Sequence, residues 1–228
     1  MSRLTERLLD LLYPPKCAFC RRPVRGERML CPGCERKLPR VEREKQNQKI
    51  SKLALCLAPL YYTGDVRQSL HRYKFRGATA YYRIYAELMA DCLRENGVTA
   101  DLVTWVPLSR KRLRKRGYDQ ARLLAEEVAR LTHLPCEQTL EKPIHNSAQS
   151  GTRSAEERIR NVQGVYRAVT SFCGESILLI DDIVTTGATL SAAADVLLNV
   201  GAEQVTGLTL ARTARGDEAF STESNGDS

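Results

Sequence analysis

Apolar residues along the chain fall into two patterns, short unbroken aliphatic runs and longer segments with helical spacing, and the two alternate. The run Ile177-Leu178-Leu179-Ile180 has no polar side, so it predicts a strand covered on both faces. Asp101-Leu102-Val103-Thr104-Trp105-Val106, stopped by Pro107, and Gln204-Val205-Thr206-Gly207-Leu208-Thr209-Leu210 predict two more strands, and Leu53 to Tyr62 a further one. Helices are predicted from about Asp65 to Tyr73, over Tyr81 to Arg94 with Ile84, Leu88 and Leu93 on one face, and over Gln120 to Leu131 with Leu123, Leu124, Val128 and Leu131. Leu190 to Leu198, rich in alanine and leucine, predicts another. Met1 to Tyr13 spaces Leu4, Leu8, Leu11 and Leu12 as a short amphipathic helix closed by Pro14 and Pro15. These elements suit an α/β class, a sheet flanked by helices.

Three stretches break the pattern. Val41 to Ser51 is polar and reads as a linker or exposed connection, which puts a domain boundary near residue 50. Between Thr132 and Thr170 the periodicity weakens, as expected of a disordered segment or a working lid. Arg215 to Ser228 lacks an apolar face and is expected to be disordered. The expected organisation is therefore an N-terminal helix and cysteine-rich unit over 1–50, an α/β domain over 51–214 and a tail over 215–228.

At 228 residues the length favours one or two domains. A net charge of +8 points to a polyanionic partner or substrate without separating nucleic acid from pyrophosphate. No apolar run approaches the roughly 18 residues of a membrane span. Glu6 and Asp10 interrupt the opening leucines, so neither membrane insertion nor a signal peptide is expected. The expected compartment is the cytoplasm, where the eight cysteines are better explained by metal or burial than by disulfides.

Half of those cysteines carry a specific spacing. Cys17-x-x-Cys20 and Cys31-x-x-Cys34 each put two thiols on one tight knuckle, and two knuckles complete the tetrahedral set that Zn2+ prefers. Lys16, Arg21, Arg22, Arg25 and Arg28 favour the thiolate form. Four thiolates leave no open coordination position, so this metal is assigned to folding, with a docking role open. Cys56, Cys92, Cys136 and Cys173 stand singly and read as core or incidental.

The principal chemical signal follows the aliphatic run. Asp181 and Asp182 end it, and Val184, Thr185, Thr186, Gly187, Ala188 and Thr189 form a turn of small and hydroxyl residues before the next helix. Backbone amides and threonine hydroxyls there can wrap a phosphate, and Gly187 permits a tight turn. Paired carboxylates just before it can accept hydrogen bonds from vicinal hydroxyls and help hold a hydrated Mg2+. A phosphate seat beside a diol seat suits a ribose 5-phosphate. The plainer reading, an aspartate cap on a helix, needs only one acid and no set of hydroxyls. The Walker A pattern with its lysine is absent, which argues against an ATPase.

A second signal is basic. Arg110-Lys111-Arg112-Leu113-Arg114-Lys115-Arg116 follows the Trp105 strand, and three readings stand: a solvated face, a nucleic-acid patch, or arginines that embrace a pyrophosphate. Lys74, in Lys74-Phe75-Arg76-Gly77, is either a solvated helix end or a cation that reaches the same site.

Positions Ile177 to Thr189 resemble the signature of type I phosphoribosyltransferases. The resemblance implies phosphoribosyl pyrophosphate with Mg2+ as ligand, Asp181 and Asp182 on the ribose hydroxyls, and Val184 to Thr189 on the 5-phosphate. The run Val106 to Ala121 further resembles the ComF family, whose members join a cysteine ribbon to a phosphoribosyltransferase domain. That family usually has Asn where Asp119 stands, and Phe is common where Tyr118 stands. Its recurring Gln, Arg and Asn-Val pattern is matched by Gln149, Arg158, Asn161 and Val162, in the region where type I enzymes carry a mobile hood. The implied fold is a type I phosphoribosyltransferase fold, a parallel sheet flanked by helices with a hood, preceded by a small zinc ribbon. Lys74, Arg112, Arg116 and Arg158 are the expected pyrophosphate ligands. The family's association with natural competence implies single-stranded DNA and competence-machinery proteins as partners. A nucleobase-salvage enzyme and a non-catalytic sensor of phosphoribosyl pyrophosphate are the competing readings.

Overall fold

A computed structural model describes residues 15–24, 28–142 and 165–214. The expected N-terminal helix, Arg25, the tail, and the Gln149, Arg158, Asn161 and Val162 positions lie outside the described residues.

In chain order the elements are α1 (Pro32–Lys37), β1 (Leu55–Leu57), β2 (Leu60–Tyr61), α2 (Gly64–Phe75), α3 (Tyr82–Glu95), β3 (Leu102–Trp105), α4 (Arg110–Arg116), α5 (Gln120–Thr132), β4 (Leu140–Glu141), β5 (Arg167–Ala168), β6 (Ser176–Val184), α6 (Ala188–Asn199) and β7 (Gln204–Arg212). β1, β7, β6 and β3 lie side by side in that order, and β2 pairs with β7 beyond β1. All of these pairings are parallel. β4 and β5 form a separate antiparallel pair.

The aliphatic run of β6 sits between two neighbours, Leu178 against Val103 on one side and Thr206 on the other, and Leu179 and Ile180 are fully buried. One sheet face is covered by α2, α3 and α5, whose Leu70, Leu88 and Val128 share one apolar cluster. The other carries α6, which buries Leu190, Ala193, Ala194 and Leu197, the spacing of a single helical face. None of the described helices is long and apolar enough to cross a membrane.

The structure departs from the sequence expectations in three places. Leu53 to Tyr62 forms two short strands, β1 and β2, separated by Ala58 and Pro59, because proline supplies no ladder donor. The two aspartates do not end β6. Asp181 pairs with Thr209 and Val184 with Arg212, because β7 continues alongside and offers backbone partners whatever the side chains are. The stretch expected as an exposed connection is partly buried: Val41, Gln46 and Gln48 are enclosed, and Asn47 bridges to Leu57.

The cysteine knuckles join the main core. Cys17, Phe19, Cys34 and Leu38 belong to the same apolar cluster as α2 and α3, and the Phe19 ring lies 5.9 Å from that of Tyr85. Arg72 on α2 donates to the carbonyls of Ala18 and Phe19 at 2.9 and 2.7 Å. Ser69 also donates to Ala18.

Candidate phosphoribosyl site and zinc ribbon

The C-terminal ends of β6 and β3 face a cavity of about 320 Å3. Its walls bring together Asp181 and Asp182 from β6, Thr185 and Thr189 from the following turn, Arg112 and Arg116 from α4, and Lys74 from α2.

Each group is placed by local sequence logic. Gly187 takes φ +83, a left-handed conformation open to glycine, and Ala188 then starts α6. The Thr186 hydroxyl accepts from the Ala188 N–H at 3.4 Å, while Val184, Gly187 and Leu190 face inward and Thr185, Thr186, Ala188 and Thr189 are exposed. The turn thus exposes its three threonines while Val184, Gly187 and Leu190 anchor it.

The basic run is a helix. Ser109 caps it by accepting from the Arg112 N–H, and Gly117 closes it at φ +80. One turn separates Arg112 from Arg116, so both reach the cavity from one helix face. Lys111, Arg114 and Lys115 are exposed and line neither this cavity nor its neighbour. Arg116 bonds Gln120 at 2.5 Å and lies over the Phe75 ring, 4.9 Å from its centroid.

Lys74 is not a solvated helix end. Its Nζ lies 2.9 Å from Asp182 Oδ1, with the two side chains 20% and 11% exposed. Asp181 accepts from the Asp182 N–H at 2.8 Å. Burial, and next the charge of Asp182, raise the Asp181 carboxyl far above the ordinary carboxylate range, against the pull of that N–H and of Lys74.

Asp119 does not join the acid pair. Its Oδ1 accepts from the Ala121 and Arg122 amides at the start of α5, and its Oδ2 accepts from Leu108 N at 3.0 Å. One carboxylate therefore caps α5 and ties down the loop after β3. Its pKa is raised by burial, with those three N–H groups pulling the other way.

Two contributors escaped the sequence reading. Lys142 and Tyr166, flanking the β4–β5 pair, line the same cavity, with the ammonium 5.0 Å from the ring centroid. Burial and then the charge of Arg112 lower the Lys142 pKa. Neither residue sits in a motif, and no signal in the sequence marks them. Beyond Pro107 and Leu108 a second cavity of about 780 Å3 adjoins the first, bordered by Trp105, Arg110, Arg122 and Arg167. Arg122 pairs there with Glu126, and Arg167 with Glu141.

The four ribbon thiols lie within 4.8 Å of one another, and Cys20 Sγ is 3.6 Å from Cys31 Sγ. Tetrahedral bonds of about 2.3 Å to zinc require sulfurs about 3.8 Å apart, so the set fits the ion. Cys31 Sγ also accepts the Cys34 N–H at 3.4 Å. Burial opposes the Cys20 thiolate, but hydrogen bonds from Arg22, Cys34 and Cys31 outweigh it and bring the thiol down to about 6.

Comparison with known proteins agrees with this arrangement. Residues 8–45 match a family model described as a double zinc ribbon domain, and residues 119–222 one described as a phosphoribosyl transferase domain. The class is therefore a type I phosphoribosyltransferase fold behind a zinc ribbon. The DNA utilization protein YhgH of Escherichia coli (strain K12) is 28% identical over 206 residues, covering 86% of this chain and 90% of that protein. Competence protein ComFC of Bacillus subtilis (strain 168) is 30% identical over 204 residues, covering 86% and 78%. The chain belongs to the ComF family. Among solved structures, glutamine phosphoribosylpyrophosphate amidotransferase from B. subtilis, complexed with ADP and GMP, aligns over 55% of this chain and 26% of its own at 25% identity and a TM-score of 0.41.

Proposed function

We propose that the protein binds phosphoribosyl pyrophosphate with magnesium in the cavity at the end of β6, transfers the phosphoribosyl group to an acceptor, and acts in the cytoplasm on incoming single-stranded DNA. The observation that carries the reading is the meeting of an acid pair, a hydroxyl-lined turn and four cations in one cavity of about 320 Å3. The Thr185 to Thr189 turn holds the 5-phosphate. Asp181 and Asp182 accept from the ribose hydroxyls, and Lys74, Arg112 and Arg116 face the pyrophosphate. Two carboxylates together with substrate phosphates are the donor set magnesium usually takes, and the ion would neutralise charge on the leaving group.

In the transfer, the bond from C1 to the pyrophosphate oxygen breaks and its electron pair leaves with the pyrophosphate. Positive charge builds on the ribose ring, and the acceptor's lone pair forms the new bond to C1. Fixed cations at the departing oxygens lower that barrier without reorganising. On this reading Asp181 and Asp182 stabilise the ring charge as it develops, and no covalent nucleophile is required.

The acceptor side favours something larger than a free base. The adjoining cavity measures about 780 Å3, against about 320 Å3 for the first, and its border carries Arg110 beside the Arg122–Glu126 and Arg167–Glu141 pairs. DNA homologues in name, the competence and DNA utilization proteins, support the same direction. Calorimetry with phosphoribosyl pyrophosphate and magnesium tests the ligand, and pyrophosphate release with single-stranded DNA or a panel of free bases tests the acceptor. Rapid turnover with one base would replace this reading by salvage. Binding without release would make the site a sensor, and no heat at millimolar ligand would remove the reading altogether.

A further inference from the structure

We propose that residues 46–50 form a strap that positions the phosphate turn, with Gln48 and Ile50 as its positioning residues. The proposal rests on the reading of Thr185 to Thr189 as a phosphate seat. It adds to that seat a segment far away in sequence.

Gln48 is 3% exposed, and its Nε2 donates to the Thr185 carbonyl at 3.2 Å across 137 positions of chain. The peptide after Thr185 is planar and trans. Drawing its C=O toward Gln48 therefore directs the Thr186 N–H the opposite way, away from the strap. A buried amide normally satisfies both its ends, yet Gln48 Oε1 has no hydrogen-bond partner among the described residues. The side chain gives up one end to hold the turn with the other.

Ile50 acts by contact. A Cβ built on Gly187 would fall 2.4 Å from Ile50 Cδ1, so the isoleucine rests directly on the glycine at φ +83. Glycine has the widest choice of backbone conformations, and a side chain seated on it removes that choice. The strap is itself anchored. Gln48 N donates to Cys56 O at 2.8 Å and Asn47 Oδ1 accepts from Cys56 N at 3.0 Å. Gln46 Oε1 accepts from Asn96 Nδ2 at 2.6 Å and from the Cys92 thiol at 3.2 Å. The turn is thereby braced against the C-terminal end of α3.

The test uses the full zinc-loaded chain and the variants Gln48→Met, which keeps length but donates nothing, and Ile50→Ala. NMR backbone order parameters at Thr185 to Thr189 are expected to fall from about 0.85 toward about 0.6 in both variants, with Leu178 to Ile180 and the zinc content unchanged. In Gln48→Met, affinity for phosphoribosyl pyrophosphate with magnesium is expected to weaken about fivefold, the loss of one hydrogen bond. Ile50→Val, which removes one methylene, serves if a larger change prevents folding. Unchanged order parameters overturn the strap. A turn that loosens in a protein whose parent shows no ligand heat keeps the strap and overturns the phosphate reading instead.

Discussion

The thiols of Cys17, Cys20, Cys31 and Cys34 sit within 4.8 Å of one another on knuckles that share the apolar cluster of α2 and α3, whereas the carboxylates of Asp181 and Asp182 lie at the open end of β6 with Lys74 paired to one of them. Both regions crowd like charges. In the ribbon a zinc ion with no open position would offset half the charge of four thiolates, and the surrounding core packs around the knuckles. At the end of β6 one cation offsets one carboxylate, while burial and the charge of that carboxylate raise the pKa of the other. The difference separates a site that builds the molecule from one left ready for a ligand.

Four experiments bear on that contrast, taken from the largest expected effect downward. Removing the ribbon metal with a chelator should unfold the knuckles and lower the thermal transition of the whole chain. Structural zinc contributes on the order of 10 kcal/mol to small domains, and Phe19 and Leu38 lie in the shared core. An unchanged melting curve would make the ribbon an independent appendage and break the comparison.

Lys74→Ala should cost about 2 kcal/mol, because it strands a nearly buried carboxylate, and should weaken ligand binding as well. Urea denaturation checks the first, and loss of stability equal to that of an exposed pair, under about 1 kcal/mol, would refute it. Asp119→Ala should cost about 1 kcal/mol as a lost helix cap. It should also loosen the loop at Leu108, which the same titration and hydrogen exchange at that amide would show.

The pH response is the finest probe. Asp181 has a folded pKa raised above its unfolded value of about 3.8, so its stabilising effect is complete below that value and is lost as pH rises through the raised one. Asp181→Asn should therefore flatten the decline of stability from acid toward neutral pH and raise the melting temperature near neutrality by about 2–4 °C. A parallel pH profile in parent and variant would show that burial and the charge of Asp182 do not raise the Asp181 pKa.

Legibility in the sequence followed contiguity. The knuckles, the β6 run with its acids and the threonine turn each occupy a few adjacent positions, and their spacing alone pointed to a four-thiol set and a candidate phosphate seat. Arg112 and Arg116 were already singled out from the basic run as expected pyrophosphate ligands, and the capped helix between Ser109 and Gly117 is what carries both to one cavity. Asp119 stood out in the sequence only as a departure from the family's usual Asn and proved to be a cap, because its partners are backbone amides that carry no residue-specific mark. Gln46 and Gln48 looked like linker residues, since a buried glutamine is indistinguishable in sequence from a solvated one.

What the sequence determined by itself was the α/β class, the order of its main elements and the two local constellations, because backbone turns and ligand spacing depend on neighbours along the chain. Tertiary structure alone decided that Lys74 meets Asp182, that Lys142 and Tyr166 close the same cavity, and that Gln48 holds Thr185. Those contacts join residues far apart in the chain, and parallel pairing of β3, β6 and β7 is the physical step that carries their elements to one edge.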